Sequence, residues 1–327
     1  MARSVNSTQR TTGEQPAVPS SLEELLGVFR GCFSAWTFPV FCALACGLIS
    51  QSARRTVCGM LVGARLSQTW SHHRAHRFFS HARWAIDQVS LVLARLVVRL
   101  LVAADEAVLV AIDDTLFHRR GPKVHAASWF HDGSAIGKTK LGYGNNWVIL
   151  AIVVRLGICD RPIALPVGFA LVKKNSDDSS RLALACRLVR ALSAALPGRQ
   201  VHVVADSAYA GKALRGLPGS VTWTTRLRSN ASLYELAPPR TGRRGRPRLK
   251  GAKLSSLATL ATTMTFAPTT LTRYGTTTIV STAVRRCLWY GAFGPQQVQV
   301  VFVSDRGPPW ERWRPVRLEP MAGLCKA

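Results

Sequence analysis

Two short apolar segments that end in acidic residues are the clearest features in the hydrophobic pattern of the chain. Residues 108–112 are all apolar and lead directly into Asp113 and Asp114, and residues 203–205 lead into Asp206 in the same way. Short, β-branched apolar runs are typical of strands that are buried on both faces. We therefore expect two core strands whose carboxyl ends carry acids, at the edge where open α/β sheets bind ligands.

The first third of the chain has a helical pattern instead. Ser20 or Ser21 followed by Glu23 or Glu24 is typical of a helix start. Apolar residues between positions 89 and 100 form a wide helical face. Residues 20–106 are therefore predicted to form a bundle of four to six helices. Residues 1–19, which are rich in Ser, Thr, Gln and Pro, are predicted to be a disordered leader.

Strands and helices are mixed in the remainder of the chain. Strand patterns at 147–156 and 163–172 are followed by a predicted helix over 175–196, the strand that ends at Asp206, and another helix. This order predicts a mixed α/β core over residues 107–218. Residues 219–304 are predicted to be an inserted β-rich subdomain, with strands at 221–227, 233–236, 276–288 and 298–303.

The composition points to nucleic acid as a partner. The chain has 43 Lys and Arg residues against 17 Asp and Glu, which gives a formal charge of +26. Because 47% of the residues are apolar, we expect a folded protein and not a basic disordered tail. A folded protein with this excess of positive charge favours nucleic acid first and an anionic membrane second.

The cysteines and the apolar residues near the start argue against secretion and membrane insertion. The eight Cys are scattered and form no CxxC pair, which is typical of a reduced protein. The first twenty residues are polar and have no signal-peptide pattern. Residues 32–50 are apolar but marginal in length for a membrane span, so they are predicted to be a buried helix.

The two acid-ending strands are candidates for a divalent metal site. Mg²⁺ prefers carboxylate oxygens and is often held by only one or two protein acids. In the alternative interpretation, each Asp only caps the helix that follows its strand. Acids are scarce in this chain, and the presence of two such motifs favours the metal site.

Ile112-Asp-Asp-Thr115 and Val203-Val-Ala-Asp-Ser-Ala-Tyr209 resemble the first two acidic motifs of DDE-type insertion-sequence transposases. The resemblance implies an α/β fold, an RNase H-like mixed sheet with an inserted β subdomain, preceded by an α-helical bundle. It covers roughly residues 20–305. In that family the first catalytic Asp directly precedes Thr, which indicates Asp114 as the first acid, Asp206 as the second, and Asp113 as the alternative first acid.

The resemblance also implies the chemistry and the partners. Asp114 and Asp206 would bind two Mg²⁺ ions, with Mn²⁺ as a substitute, for cleavage and transfer of DNA strands. The partner would be double-stranded DNA, both the transposon ends and the target, and the protein would bind it as a homodimer. No membrane partner is expected. The expected location is the bacterial cytoplasm, in association with the nucleoid.

Basic loops supply the predicted DNA contacts. Arg244-Gly-Arg-Pro247, in the Arg-rich loop 239–251, is similar to the core of an AT-hook. Arg side chains beside Gly and Pro suit a narrow A·T minor groove, and a basic surface loop without sequence preference is the alternative. The predicted DNA-binding residues are Arg119, Arg120, Lys138, Lys140, Arg243, Arg244, Arg246, Arg248 and Lys250.

The stretch of residues 70–84 contains four His, three Arg and four aromatic residues. His72 and His76 have the i, i+4 spacing of a metal site on a helix. Because no Cys or acid lies within the stretch to complete such a site, we expect a DNA-backbone contact or a solvated helix face. The helical bundle 20–106, which contains this stretch, is predicted to be a DNA-binding domain.

The third acidic motif of the family is not found. Glu235 lies inside a predicted strand, and Glu311 and Glu319 lack the Tyr, Arg and Lys companions that the family places around its Glu. Residues 305–327 break the periodicity, which leads to the hypothesis that they are translated out of frame. A non-catalytic DNA-binding remnant or inhibitor is therefore the alternative to an active transposase.

Overall fold

A computed structural model describes residues 19–52, 55–121, 123–136, 139–174, 180–239, 246–273 and 276–304. The helices are α1 (Ser20–Gly27), α2 (Thr37–Ser50), α3 (Val57–Gly63), α4 (His72–Ser80), α5 (Ile86–Leu101), α6 (Arg181–Ala195), α7 (Leu257–Thr263) and α8 (Tyr290–Phe293). The strands are β1 (Val108–His118), β2 (Ser128–His131), β3 (Leu141–Val154), β4 (Ile163–Leu171), β5 (Val201–Ala205), β6 (Val221–Thr225), β7 (Ala267–Arg273), β8 (Thr276–Leu288) and β9 (Gln297–Ser304).

The chain divides into two compact units, one up to Val92 and one from Leu93 onward. This division falls inside α5. The domain boundaries predicted from the sequence, after residues 106 and 218, stay predictions.

The first unit is built from helices around an aromatic cluster. The rings of Phe33 and Phe41 stack at 4.5 Å, and those of Phe78 and Trp84 stack at 5.5 Å. Helices α1 to α5 precede the first strand, β1, as the pattern predicted.

Helix α2 is only partly buried, contrary to the prediction for residues 32–50. Val40, Leu44 and Gly47 are buried, whereas Ile49 is 67% exposed. The helix buries one face because α3 crosses it closely at Gly47, where an added Cβ would lie 1.9 Å from the carbonyl oxygen of Met60. Among the described residues, no helix is both long and apolar enough to cross a membrane.

The second unit contains a six-stranded mixed sheet with the order β4-β3-β1-β5-β6, and β2 pairs with the first part of β3. Strand β1 is antiparallel to β3 and parallel to β5, and β5 is parallel to β6. The predicted mixed α/β fold is confirmed, and the two acid-ending strands are direct neighbours.

The core of this unit lies on one face of the sheet. Val110 and Ile112 of β1 are buried beside Val203 of β5, and α6 contributes Leu184 and other apolar residues to the same cluster. On the other face Leu109 is 37% exposed and Val204 is 41% exposed. The prediction that both strands are buried on both faces is therefore wrong for the described residues. On β1 and β5 one face of the sheet is buried, and the other face carries partly exposed side chains.

A second sheet, β7-β8-β9, follows. Strands β8 and β9 were predicted, but β7 was not. The predicted strand at 233–236 is wrong, because Tyr234 makes only isolated bridges to Lys253 and Leu288. The helix predicted after Asp206 is a single 3-10 segment, Lys212–Gly216.

Candidate active site

The parallel pairing of β1 with β5 brings the two acidic motifs together. The last paired residues are Ile112 and Ala205, so Asp113 and Asp206 come next on neighbouring strands, whose separation is about 4.8 Å. Partial loss of hydration raises the pKa of the Asp113 carboxyl, and the carboxylates of Asp114 and Asp206 raise it further. The three acids thus form one crowded, negatively charged edge of the sheet.

Asp114 is held by three donors from three different parts of the fold. Its Oδ2 accepts a hydrogen bond from Asn146 Nδ2 at 2.9 Å, and its Oδ1 accepts one from the Tyr209 hydroxyl at 3.2 Å. Arg181 Nη1 lies 3.3 Å from the carboxylate. With only 17% of its side chain exposed, Asp114 has a fixed orientation.

Each donor is positioned by the element that carries it. Asn146 is fully buried on β3, where it pairs with Leu116 of β1. Tyr209 is fully buried in the turn after β5, and burial raises the pKa of its phenol, so the hydroxyl stays protonated and donates. Arg181 begins α6, which Ser180 caps by accepting a hydrogen bond from the Ala183 amide.

Asp206 is exposed and shapes the turn in which it lies. Its Oδ1 accepts a hydrogen bond from the Ala208 amide at 2.8 Å, and its carbonyl accepts one from Thr225 Oγ1 at 2.6 Å. The Asp113 carboxylate accepts a hydrogen bond from the Asp114 amide at 2.8 Å, and Asp113 is exposed like Asp206.

The donor set fits a hard divalent cation. All three acids offer carboxylate oxygens, the ligands that Mg²⁺ prefers. Asn146 Oδ1 is buried next to Asp114 and has no hydrogen-bond partner among the described residues. A metal-bound water would satisfy such an atom. The carboxylates do not, however, bring one oxygen from each acid within 4.8 Å of the others in the described part of the chain.

The predicted DNA-binding residues are partly described. Arg119, Arg120, Lys140, Arg246, Arg248 and Lys250 are exposed. Lys138, Arg243 and Arg244 lie outside the described residues, as do the leader up to residue 18 and much of the Arg-rich loop. The Lys250 ammonium lies 3.9 Å from the centre of the Tyr234 ring, in a cleft of about 390 Å³ that Ser207 also lines. A basic and aromatic cleft therefore adjoins the residue after Asp206.

Glu235 is engaged elsewhere in the described structure. Its carboxylate pairs with Arg285 of β8 at 2.5 Å. Glu311, Glu319 and the rest of the atypical tail lie outside the described residues. Of the three acids that remained as candidates for the third position, the described one thus lies in a partly exposed ion pair with an arginine.

Sequence reasoning found the acids and missed Asn146 and Arg181. Asn146 was visible as a polar residue directly before a long apolar run, a position where a buried amide needs a partner. Tyr209 was within the quoted second motif, but its contact with Asp114 was not predicted.

Comparison with known proteins assigns the family. A family model described as "DDE superfamily endonuclease" matches residues 29–295. The chain therefore belongs to the DDE superfamily of endonucleases, and the resemblance drawn from the two acidic motifs is confirmed. Nucleases of this superfamily generally use divalent metal ions.

A solved structure was also found, a cryo-EM structure of the piggyBac transposase synaptic complex with hairpin DNA. It is 12% identical, with a TM-score of 0.30, and the match covers 96% of this chain and 57% of that chain. This similarity is too low to support an inference about function. No curated protein sequence matched the chain.

Proposed function

We propose that the protein is a transposase that cleaves DNA at the ends of an insertion sequence and transfers the strands to a target. The observation that carries the proposal is the pairing of Ile112 with Ala205, which brings the acids of two distant motifs to one edge. Membership of the DDE endonuclease superfamily supports this chemistry.

In this proposal Asp114 and Asp206 are the metal ligands, and Asp113 is the alternative first acid. Arg181, Asn146 and Tyr209 hold Asp114, as outer hydrogen-bond partners commonly do for ligating carboxylates. When bound, two Mg²⁺ or Mn²⁺ ions would activate the attacking water or 3′-hydroxyl and stabilise the leaving oxygen. Asp113 remains the alternative because, unlike Asp114, it is exposed, and because it lies beside Asp206.

Double-stranded DNA is the proposed partner, both as transposon ends and as target, and the protein would act as a homodimer in the bacterial cytoplasm. The formal charge of +26 supports contact with the phosphate backbone. Exposed basic residues beside an aromatic cleft next to the acids would guide a strand toward them.

The engagement of Glu235 with Arg285 favours a second candidate function. Without the acid of the third motif, metal occupancy would be poor, and the protein would be a DNA-binding remnant or inhibitor with weak or absent strand transfer. The hypothesis of an out-of-frame tail belongs to this candidate. Glu311 and Glu319 would supply the third acid if the tail is native.

One nicking assay separates these functions. A supercoiled plasmid that carries the DNA flanking the gene is incubated with the purified chain and Mg²⁺ or Mn²⁺. DNA retention is measured on the same samples by electrophoretic mobility. Nicking that is lost in Asp206→Asn and Asp114→Asn but kept in Asp113→Asn and in the control Asp160→Asn would support the proposed enzyme and its ligands.

Other outcomes are equally informative. Nicking lost in Asp113→Asn but kept in Asp114→Asn would reassign the first ligand. Retention of DNA without nicking in either metal would establish the non-catalytic function, and absence of both would contradict the whole proposal.

A further inference from the structure

Cys58, His72 and His76 form a cluster of metal-ligating side chains on the helical unit. Cys58 Sγ lies 3.1 Å from His72 Nε2, and the rings of His72 and His76 are 4.1 Å apart between centroids. One ligand atom from each residue lies within 4.8 Å of the other two. Among the described residues this is the one group of three or more His, Cys, Asp or Glu that meets this distance.

The backbone of two adjacent helices creates the cluster. His72 and His76 are one turn apart on α4, so they share a face of that helix. Cys58 is the second residue of α3, which packs against α4. Both helices have capped N-termini, with Thr56 accepting from the Gly59 amide and Ser71 accepting from the Arg74 amide. Cys58 and His72 therefore lie in the first turns of capped helices, and His76 lies one turn further along α4.

The packing beneath the cluster fixes the two helices. Leu61 of α3 is buried, and Ala75 of α4, which lies between the two histidines, is fully buried. All three ligand side chains are exposed, so an ion can reach them from solvent.

We propose that these three residues bind Zn²⁺, with a fourth position open to water or another ligand. Thiolate with imidazole is a ligand set of Zn²⁺ and not of Mg²⁺ or Ca²⁺, which take oxygen. Zn–S and Zn–N bonds of about 2.3 and 2.05 Å at tetrahedral angles require an S···N separation of about 3.6 Å. The observed 3.1 Å meets this after a small outward movement of exposed side chains.

The cluster supplies a ligand that the stretch 70–84 lacks. A metal site at His72 and His76 was disfavoured from the sequence because residues 70–84 contain no Cys or acid to complete it. The third ligand is Cys58, which precedes that stretch and is brought to it by the turn between α3 and α4. The site is separate from the carboxylates of β1 and β5 in both ligand type and metal preference.

Cobalt substitution tests the site in the full, reduced chain. Co²⁺ is titrated in the presence of excess Mg²⁺, which occupies carboxylates, and the sulfur-to-cobalt charge-transfer absorption is recorded. Zn²⁺ affinity is then measured by competition with a chromophoric chelator. We expect one Co²⁺ per chain with a thiolate band that Zn²⁺ displaces.

Matched variants assign the ligands. Cys58→Ser should abolish the band, and His72→Asn and His76→Gln should each weaken Zn²⁺ binding by roughly a hundredfold or more, since loss of a ligand should exceed the roughly 10- to 100-fold cost of losing an outer partner. The controls are His73→Gln, the neighbouring histidine on α4, and Cys159→Ser, another exposed cysteine. Both should bind like the parent chain.

Two results would overturn the proposal. One is the absence of a thiolate band in the parent chain, and the other is a band that survives Cys58→Ser. Because the three side chains are exposed, the variants should fold, and circular dichroism of each variant checks this. Loss of nicking in the acid variants with intact cobalt binding would leave the two proposals independent.

Discussion

Removing the buried hydroxyl of Tyr209 should loosen the hold on Asp114. The hydroxyl donates to the Asp114 carboxylate at 3.2 Å, and the ring is fully buried. Tyr209→Phe keeps the packing of the ring and deletes only the donor. A hydrogen bond to a charged group contributes about 1.5–3 kcal/mol. This bond is longer than the usual O–H···O⁻ distance of about 2.5–2.7 Å, so we expect a loss of about 1–2 kcal/mol.

Hydrogen exchange of peptides that cover β1 and β5 measures this loss where it occurs. A decrease of one to two kcal/mol in the free energy of opening should speed exchange of these amides about 5- to 30-fold. Tyr143→Phe is the matched control, because the described residues supply no hydrogen-bond partner for that hydroxyl. It should leave exchange of β1 and β5 unchanged.

A double-mutant cycle with Asp114→Asn isolates the pair. If the hydroxyl bonds to the carboxylate, the double variant should lose less than the sum of the single variants, by at least about 0.5 kcal/mol. Additive losses, or a Tyr209→Phe variant that exchanges like the parent chain, would refute the inferred contact.

Two further predictions test the acidic edge and the strand packing. Asp113→Asn should raise the free energy of unfolding by a few tenths to about 1 kcal/mol at neutral pH, because it removes a carboxylate whose pKa is raised in the folded state. The gain should vanish as the pH falls below the ordinary carboxyl pKa of 3.8. Urea denaturation at neutral pH and below pH 3.8 measures it, and a variant less stable than the parent chain at neutral pH would contradict the prediction. Gly144→Ala should cost about 1–3 kcal/mol, since the added Cβ would lie 2.1 Å from the carbonyl oxygen of Phe117 on β1. Gly157→Ala is the control, because no atom lies within 4 Å of the Cβ that it adds, and its melting temperature should be close to that of the parent chain. Equal melting temperatures for the two variants in thermal denaturation would show the steric argument to be wrong.

The parts of the fold that could be predicted have local signals. The strands that carry Asp113 and Asp206 were identifiable because an apolar β-branched run ends at an acid. Strand β8 was predicted with the observed bounds because it is rich in Thr, Val and Ile. By contrast, β7 contains Thr and Pro and few large apolar residues, so its pattern does not differ from that of a loop.

The surroundings of the acids could not be predicted because they depend on register and distant pairing. Asn146 reaches Asp114 across 32 positions through the β1–β3 pairing, and Arg181 reaches it across 67 positions from the start of α6. Neither contact has a signal within a local window. The Cys58 cluster was missed for the same reason on a smaller scale, since its cysteine lies 14 positions from His72.

The pairing of β1 with β5 also has a consequence for how the protein is made. The two acids are separated by 206 − 114 = 92 residues, so a ribosome must release β5 long after β1 has emerged. During that interval β1 can pair only with β3, and its other edge is open to strands of other chains. The nascent chain therefore has no assembled acidic edge and is most exposed to aggregation midway through synthesis. A pause in translation once β5 has emerged would give β1 time to pair with β5 before further chain emerges.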